Sequence, residues 1–259
     1  MKKMIYCACL LAFTAMACNN SGKSIKPVSE NPLLTFSVKE YEKKSQLNGF
    51  TETELKAEIP VADGETEAAK RINDRVFQIT KLIVGQENDR SANYEELFSG
   101  FIKNYEDFIK ENPDHPGGWE ATVKGSVPYQ TPELLNIKID SYMMTGGAHG
   151  NGSQTSLIFD PRDGKELNIG DIVNDTNVLS RIAERKFREK YNIPAESSIN
   201  STGLMFNNDK FALPANIFLT GNGLLLFYNA YEIAAYVDGT REILIPYNEI
   251  SDYLSVPIK

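Results

Sequence analysis

The sequence predicts an α+β fold in which antiparallel sheets pack against three main helices. Three observations predict this class. Several short segments carry apolar residues at every second position, as half-buried strands do. Three longer segments carry apolar residues three or four positions apart, which is typical of amphipathic helices. Strands follow one another in runs that a few helices interrupt, and this order disfavours a doubly wound parallel sheet.

The first predicted elements are two strands followed by a helix. Alternating apolar and polar residues place the strands at 34–38 and 53–59. Apolar residues at helical spacing then run over 68–83, and Gly85 ends that helix.

The second predicted helix, over 94–109, has the strongest helical period of the chain. Its apolar stripe consists of Tyr94, Leu97, Phe98, Phe101, Ile102, Tyr105, Phe108 and Ile109. A stripe of this width is typical of a helix that packs on a sheet. Alternation resumes after a break at 113–118, and we expect an antiparallel meander of strands at 119–127, 135–143 and 153–159.

The C-terminal part is predicted to contain one helix, over 176–191, and three strands. The segment Gly221-Asn222-Gly223 is a strong hairpin signal. The strands are placed at 215–220, 223–228 and 241–246. A short helix is predicted to follow at 248–254. We predict two closely associated subdomains, at 33–159 and 160–259.

The first 18 residues are interpreted as a lipoprotein signal peptide. A basic start precedes an apolar run over 4–17, which is shorter than the roughly 20 residues needed to span a bilayer. Cys18 follows directly, and we expect it to become the lipidated first residue of the mature protein. Residues 19–32 are polar and predict a flexible tether. The chain is therefore expected at the cell envelope, lipid-anchored and facing the periplasm; secretion and an uncleaved anchor are the alternatives.

Composition limits the chemistry of the mature chain. All three cysteines, Cys7, Cys9 and Cys18, lie in the predicted signal, so no disulfide or thiolate metal site is expected. Residues 19–259 contain 25 basic and 35 acidic residues, a formal charge of −10. This charge disfavours nucleic acid as a partner, because phosphate recognition needs clustered Lys and Arg. It is compatible with a cationic protein partner.

A glycine-rich segment at 145–150 supplies the first candidate binding residues, Gly146, Gly147 and His149. The glycines allow unusual backbone geometries and leave N–H groups open to a ligand. His149 could act as acid, base or ligand together with Asp140 or Asp160. The alternative is a structural turn in which His149 bonds to the backbone and fixes the hairpin.

A group of tyrosines near Glu232 supplies the second set of candidates. Tyr228, Tyr231 and Tyr236 could line a sugar-binding cleft, or they could form an aromatic core around the last sheet. We count Tyr231 and Glu232 as candidate binding residues. His115, in the predicted loop after the second helix, is expected to be a solvated loop residue. No catalytic, metal-ligand or cofactor motif is present in the sequence, so we expect no cofactor.

Two segments together resemble a known family. The first, 142–150, contains Thr-Gly-Gly-Ala-His-Gly at 145–150. The second, 223–254, contains Phe227-Tyr228, Tyr231-Glu232-Ile233, Gly239 and Ile-Leu-Ile-Pro-Tyr at 243–247. Over most of 33–255 the chain is similar to the extracytoplasmic domain shared by the anti-sigma factor RsiV and the non-catalytic N-terminal region of the peptidoglycan deacetylase PdaC. The resemblance implies an α+β domain of two joined parts that meet near 150–165.

The resemblance implies a binding role, because the domain is a lysozyme receptor in RsiV-like proteins and accompanies a separate catalytic domain in the deacetylase. The chain shows neither an anti-sigma segment nor the deacetylase's Asp-His-His set, so no catalytic residue is carried over. We expect an envelope-tethered, non-enzymatic binding lipoprotein whose ligand is a cell-wall glycan or a cationic protein such as lysozyme. The alternatives are a hydrolase of envelope sugars or peptides that uses His149 with a carboxylate, and a structural component of an envelope complex.

Overall fold

A six-stranded sheet is the largest element of the fold, with its strands in the order β1-β2-β3-β4-β5-β6. These strands are β1 (Phe36–Lys44), β2 (Glu54–Ala62), β3 (Glu120–Gln130), β4 (Leu135–Met144), β5 (Asn151–Phe159) and β6 (Glu166–Leu167). The computed structural model describes residues 33–47 and 51–257. The predicted signal peptide, Cys18 and the predicted tether lie outside these described residues.

Four helices and a second sheet complete the described fold. The helices are α1 (Glu67–Val84), α2 (Tyr94–Glu111), α3 (Ile169–Ile172) and α4 (Thr176–Lys190). The second sheet is antiparallel, with strands β7 (Asn216–Leu219), β8 (Gly223–Tyr228) and β9 (Arg241–Pro246). Among the described helices, none has the length and apolar character needed to cross a membrane. The α+β class predicted from the sequence is confirmed.

One pair of neighbouring strands in the six-stranded sheet is parallel. β2 pairs with β3 in parallel, and Leu55 lies opposite Ala121. The other neighbouring strands of this sheet pair antiparallel, as expected. The parallel pair follows from connectivity, because α1 and α2 return the chain so that β3 starts at the same end of the sheet as β2. Alternation along one strand carries no information about which strand becomes its neighbour.

The apolar stripe of α2 packs on the sheet, as predicted. Leu97, Phe98 and Tyr105 are fully buried and belong to one cluster with Leu55 and residues of α1. Burial of each such side chain contributes about 1.5–3 kcal/mol to folding. The helix begins after Asn93, whose side chain accepts a hydrogen bond from the backbone N–H of Glu96.

A bulge in β3 changes which residues face the helices. The register with β4 shifts between Ser126 and Tyr129. Val123 faces the helices and joins the first core, whereas Tyr129, beyond the bulge, joins a second core on the other face. This second core also contains Leu134 and side chains of α4 and β7–β9. The second sheet therefore covers one end of the outer face of the six-stranded sheet, the face away from α1 and α2. The predicted subdomain boundary at 159/160 stays a prediction.

Polar side chains join the two sheets across a buried contact that we name the sheet joint, formed by Asn136, Ser156 and Asn216. Asn136 is fully buried; its Nδ2 donates to Oγ of Ser156 at 2.9 Å, and its Oδ1 accepts from the backbone N–H of Leu219 at 2.9 Å. The Ser156 hydroxyl donates to the carbonyl of Ile217 at 2.7 Å, and Oδ1 of Asn216 accepts from the Ser156 N–H at 3.0 Å. The free edges of β5 and β7 are thereby satisfied by side chains.

Asn229 continues this contact along β5. Its side-chain Oδ1 accepts from the N–H of Gln154 at 2.8 Å, and its Nδ2 donates to the carbonyl of the same residue at 3.0 Å. One amide group therefore replaces the backbone partner that a further strand would supply. This pair of bonds fixes the end of β8 beside β5.

The prediction of one short helix over 248–254 is wrong. The chain instead forms two 3₁₀ turns, Tyr247–Glu249 and Ser251–Tyr253, and Leu254 makes a bridge with Val173. The apolar spacing there reflects packing of separate turns on the second core. α3, which a capping box of Asn168 and Asp171 defines, was not predicted.

The sheet joint predicts a large effect of truncating Asn136. Asn136→Ala removes four hydrogen-bonded contacts and leaves the N–H of Leu219 without its acceptor. We expect the free energy of unfolding, measured by urea denaturation, to fall by about 3 kcal/mol. Asn222→Ala is the matched control, because Asn222 is exposed in the β7–β8 turn, and a change within about 0.5 kcal/mol is expected. Equal effects of the two substitutions would contradict the role assigned to the joint.

Candidate functional site

The glycine-rich loop 145–150 connects β4 to β5. Gly146 and Gly147 have φ of +112° and +89°, a backbone region that glycine adopts without a steric penalty. The loop passes close to His115, since a Cβ atom on Gly146 would lie 3.6 Å from Nε2 of that histidine. Both glycines therefore shape the loop that presents His149.

His149 is exposed, and its ring is held by a stack on one face and a hydrogen bond at its edge. The ring stacks on Tyr236, with centroids 3.9 Å apart and planes 10° apart. Nδ1 lies 3.0 Å from the carbonyl oxygen of Gly150, so Nδ1 carries the proton and donates it. The Tyr236 hydroxyl donates to the same oxygen at 3.0 Å. Both rings are thus fixed to Gly150.

Tyr231 extends this stack toward solvent. Its hydroxyl lies 3.4 Å from Nε2 of His149, and its ring centroid lies 5.3 Å from that of Tyr236 at an interplanar angle of 32°. The side chain is 58% exposed, and the residue has a φ of +70°. A bulky residue in this region costs on the order of 1 kcal/mol or more. Burial of the side chain does not offset this cost, because the ring lies at the surface.

Tyr142 contributes a fourth ring. A Cβ atom on Gly150 would lie 2.4 Å from the Tyr142 ring, so only glycine lets the ring lie against the backbone there. Tyr142 is 37% exposed. We name the four side chains around Gly150 the Gly150 cluster: Tyr142, His149, Tyr231 and Tyr236. Tyr142 was not among the predicted site residues, because its contact with Gly150 depends on how the loop folds.

Glu232 uses both carboxylate oxygens on the backbone. Oε1 accepts from the N–H of Ala215 at 2.9 Å, and Oε2 accepts from the N–H of Asn229 at 2.9 Å. The N–H of Glu232 in turn donates to the carbonyl of Asn229 at 3.1 Å. These bonds close the turn that presents Tyr231 and give Glu232 a positioning role.

Tyr228 lies in the core and not at the surface. It is 1% exposed, and its hydroxyl donates to the carbonyl of Ala212 at 2.7 Å. Burial raises the pKa of its phenol far above the usual range, and the nearby charge of Glu232 acts in the same direction. Of the three tyrosines, Tyr228 therefore fits the aromatic-core interpretation, whereas Tyr231 and Tyr236 line the surface.

The geometry around His149 gives it no acid–base partner among residues 33–47 and 51–257. Its ring nitrogens contact Gly150 and Tyr231, and no carboxylate of the described chain hydrogen-bonds to them. Asp140 pairs with Lys138 at 2.9 Å. Asp160 bonds to Arg162, whose guanidinium lowers the pKa of that carboxyl. Within the same residues no group of three or more His, Cys, Asp or Glu side chains could hold a metal ion. The cluster offers stacking surfaces and hydroxyl groups.

Truncation of Glu232 is expected to loosen the turn that presents Tyr231. Glu232→Ala removes the acceptor for two backbone N–H groups, and we expect the free energy of unfolding to fall by about 2 kcal/mol. The tyrosine signal in the near-ultraviolet circular dichroism spectrum should weaken as well. Glu196→Ala, at an exposed position, is the control and should change neither. An unchanged spectrum of Glu232→Ala would contradict the positioning role.

Comparison with known proteins relates the two halves of the cluster to two families. Residues 49–152, which include Tyr142 and His149, match the family described as "Deacetylase PdaC". Residues 170–248, which include Tyr231 and Tyr236, match the family described as "Protein of unknown function (DUF3298)". No curated protein matches the chain.

Two crystal structures show the same fold. A DUF3298 family member from Bacteroides fragilis is 19% identical, with a TM-score of 0.71 over 86% of this chain and 94% of that chain. A DUF3298 family protein from Pseudomonas aeruginosa is 18% identical, with a TM-score of 0.65 over 87% of this chain and 96% of that chain. The predicted resemblance is therefore confirmed: the chain contains a segment that matches the PdaC family and then a segment that matches DUF3298, in the fold of the DUF3298 proteins.

Proposed function

We propose that the protein is a non-enzymatic binding module that holds a cell-wall glycan on the Gly150 cluster. A lipid on Cys18 would tether it to the envelope, facing the periplasm. The observation that carries the proposal is Tyr231, a large aromatic side chain that is 58% exposed on a backbone with a φ of +70°. Strained backbone of this kind concentrates at ligand-binding sites, where the strain fixes a side chain in a useful position.

The chemistry of the cluster suits a sugar. A pyranose ring has an apolar C–H face that packs on aromatic rings, and a rim of hydroxyl groups that needs hydrogen-bond partners. Tyr231 and Tyr236 present rings tilted by 32° to each other, and the Tyr231 hydroxyl lies beside Nε2 of His149. Aromatic surface and polar groups are therefore adjacent, as in typical small-molecule and sugar sites.

The hydrolase alternative receives less support from the geometry. A general base needs a substrate-facing nitrogen and a group that tunes it. Nδ1 of His149 donates to the neighbouring carbonyl, and the ring lies flat on Tyr236. These contacts fix the ring as part of the surface.

A cationic protein such as lysozyme is a second candidate ligand, which the formal charge of −10 of residues 19–259 favours. Binding of this kind would depend strongly on ionic strength, because exposed charges are screened within about 8–10 Å at physiological salt. Stacking of an uncharged sugar on tyrosine would depend on it little.

Tyr231→Ala is expected to weaken binding of chitotetraose, measured by isothermal titration calorimetry, by about tenfold or more, since a central aromatic contact is removed. Tyr231→Phe keeps the ring and should retain most of the affinity. Leu82→Ala alters another large exposed side chain, on α1, and should have no effect.

The same titrations distinguish the candidates. Absence of chitotetraose binding by the unaltered protein would overturn the glycan proposal. If chitotetraose does not bind, binding of lysozyme that disappears at high salt would support a cationic protein as the ligand. Release of shorter sugars from chitohexaose would support the hydrolase.

A further inference from the structure

The register of the six-stranded sheet aligns Tyr142 with exposed residues on the neighbouring strands. Thr122 lies opposite Tyr142, and Lys56 lies opposite Thr122. Glu42 lies opposite Lys56 on β1, and Gly152 lies opposite Tyr142 on β5. All five residues are exposed on the outer face of the sheet. We name this line of residues the outer row.

The outer row lies on the uncovered part of the outer face. The second sheet covers the other end, where Asn136 and Tyr129 are buried. The Gly150 cluster stands at the β4–β5 end of the row, because Tyr142 belongs to both. Strands lie about 4.8 Å apart, so the row from β5 to β1 extends over ~19 Å.

The side chains of the outer row are polar, and its charges are compensated. Nζ of Lys56 lies 2.7 Å from Oε1 of Glu54, and Nζ of Lys44 lies 3.4 Å from Oε1 of Glu42. The hydroxyls of Thr122 and Tyr142 make no hydrogen bond within the described residues. A surface of this kind offers hydrogen bonds to an uncharged, hydroxyl-rich ligand, and no uncompensated charge that would favour an ion.

We infer that the ligand of the Gly150 cluster is a linear oligosaccharide that continues from the cluster across the outer row. The inference rests on the proposed function and adds the chain length of the ligand. The row of ~19 Å is about as long as a tetrasaccharide. The ring next to Tyr231 stacks, and the following rings hydrogen-bond to the Thr122 and Tyr142 hydroxyls.

Two experiments test this inference: one varies the length of the oligosaccharide, and the other removes the hydroxyl of Thr122. In calorimetric titrations of the full-length protein we expect chitotetraose to bind about tenfold more tightly than chitobiose, with little further gain for chitohexaose. Thr122→Val removes the hydroxyl and keeps a β-branched side chain of the same shape. It should weaken chitotetraose binding about fivefold and leave chitobiose binding unchanged. Thr202→Val, at an exposed position after α4, is the control and should change neither.

The outcomes separate this inference from the proposed function. If chitobiose and chitotetraose bind with equal affinity, and Tyr231→Ala abolishes the binding of both, the outer row does not bind sugar and the Gly150 cluster alone is the sugar site. An affinity for chitotetraose that is the same in Thr122→Val and Thr202→Val would also contradict the role of the outer row. Absence of binding for every oligosaccharide would overturn both.

Discussion

The sheet joint is the contact on which the rest of the structure depends. Each sheet alone would leave backbone groups of an edge strand without partners, which is costly in a buried position. Asn136, Ser156 and Asn216 satisfy those groups with side-chain amides and a hydroxyl. Hydrogen bonds have direction, so the joint fixes the angle and register of the second sheet as apolar contact alone would not.

The Gly150 cluster is a consequence of that fixed orientation. Tyr142 and His149 come from the segment that matches the PdaC family, whereas Tyr231 and Tyr236 come from the segment that matches DUF3298. Neither segment alone contains the four rings. Asn229 bonds to both the N–H and the carbonyl of Gln154, two residues after the PdaC-matching segment, and so holds the two segments together near the rings. The candidate site therefore lies where the two matched segments meet.

Local patterns predicted the elements well, and long-range contacts less well. The stripe of α2 and the hairpin at Gly221-Asn222-Gly223 follow from spacing and turn chemistry within a few residues. His149 and Tyr231 were chosen from the sequence, and they do lie together. The parallel pairing of β2 with β3 was missed, because strand partners are selected by connections far along the chain. The contact of Tyr142 with Gly150 was missed for a different reason, because it depends on how the loop at 145–150 folds.

The positive φ of Tyr231 has a consequence for attempts to make the protein more robust. Glycine adopts this backbone region freely, so a search for thermostable variants would favour glycine at position 231. The gain in heat resistance would come from removing the most exposed ring of the cluster. Selection for thermal stability and selection for the proposed sugar binding would therefore favour different residues at position 231. A screen that scores only melting temperature would remove the most exposed ring of the proposed site.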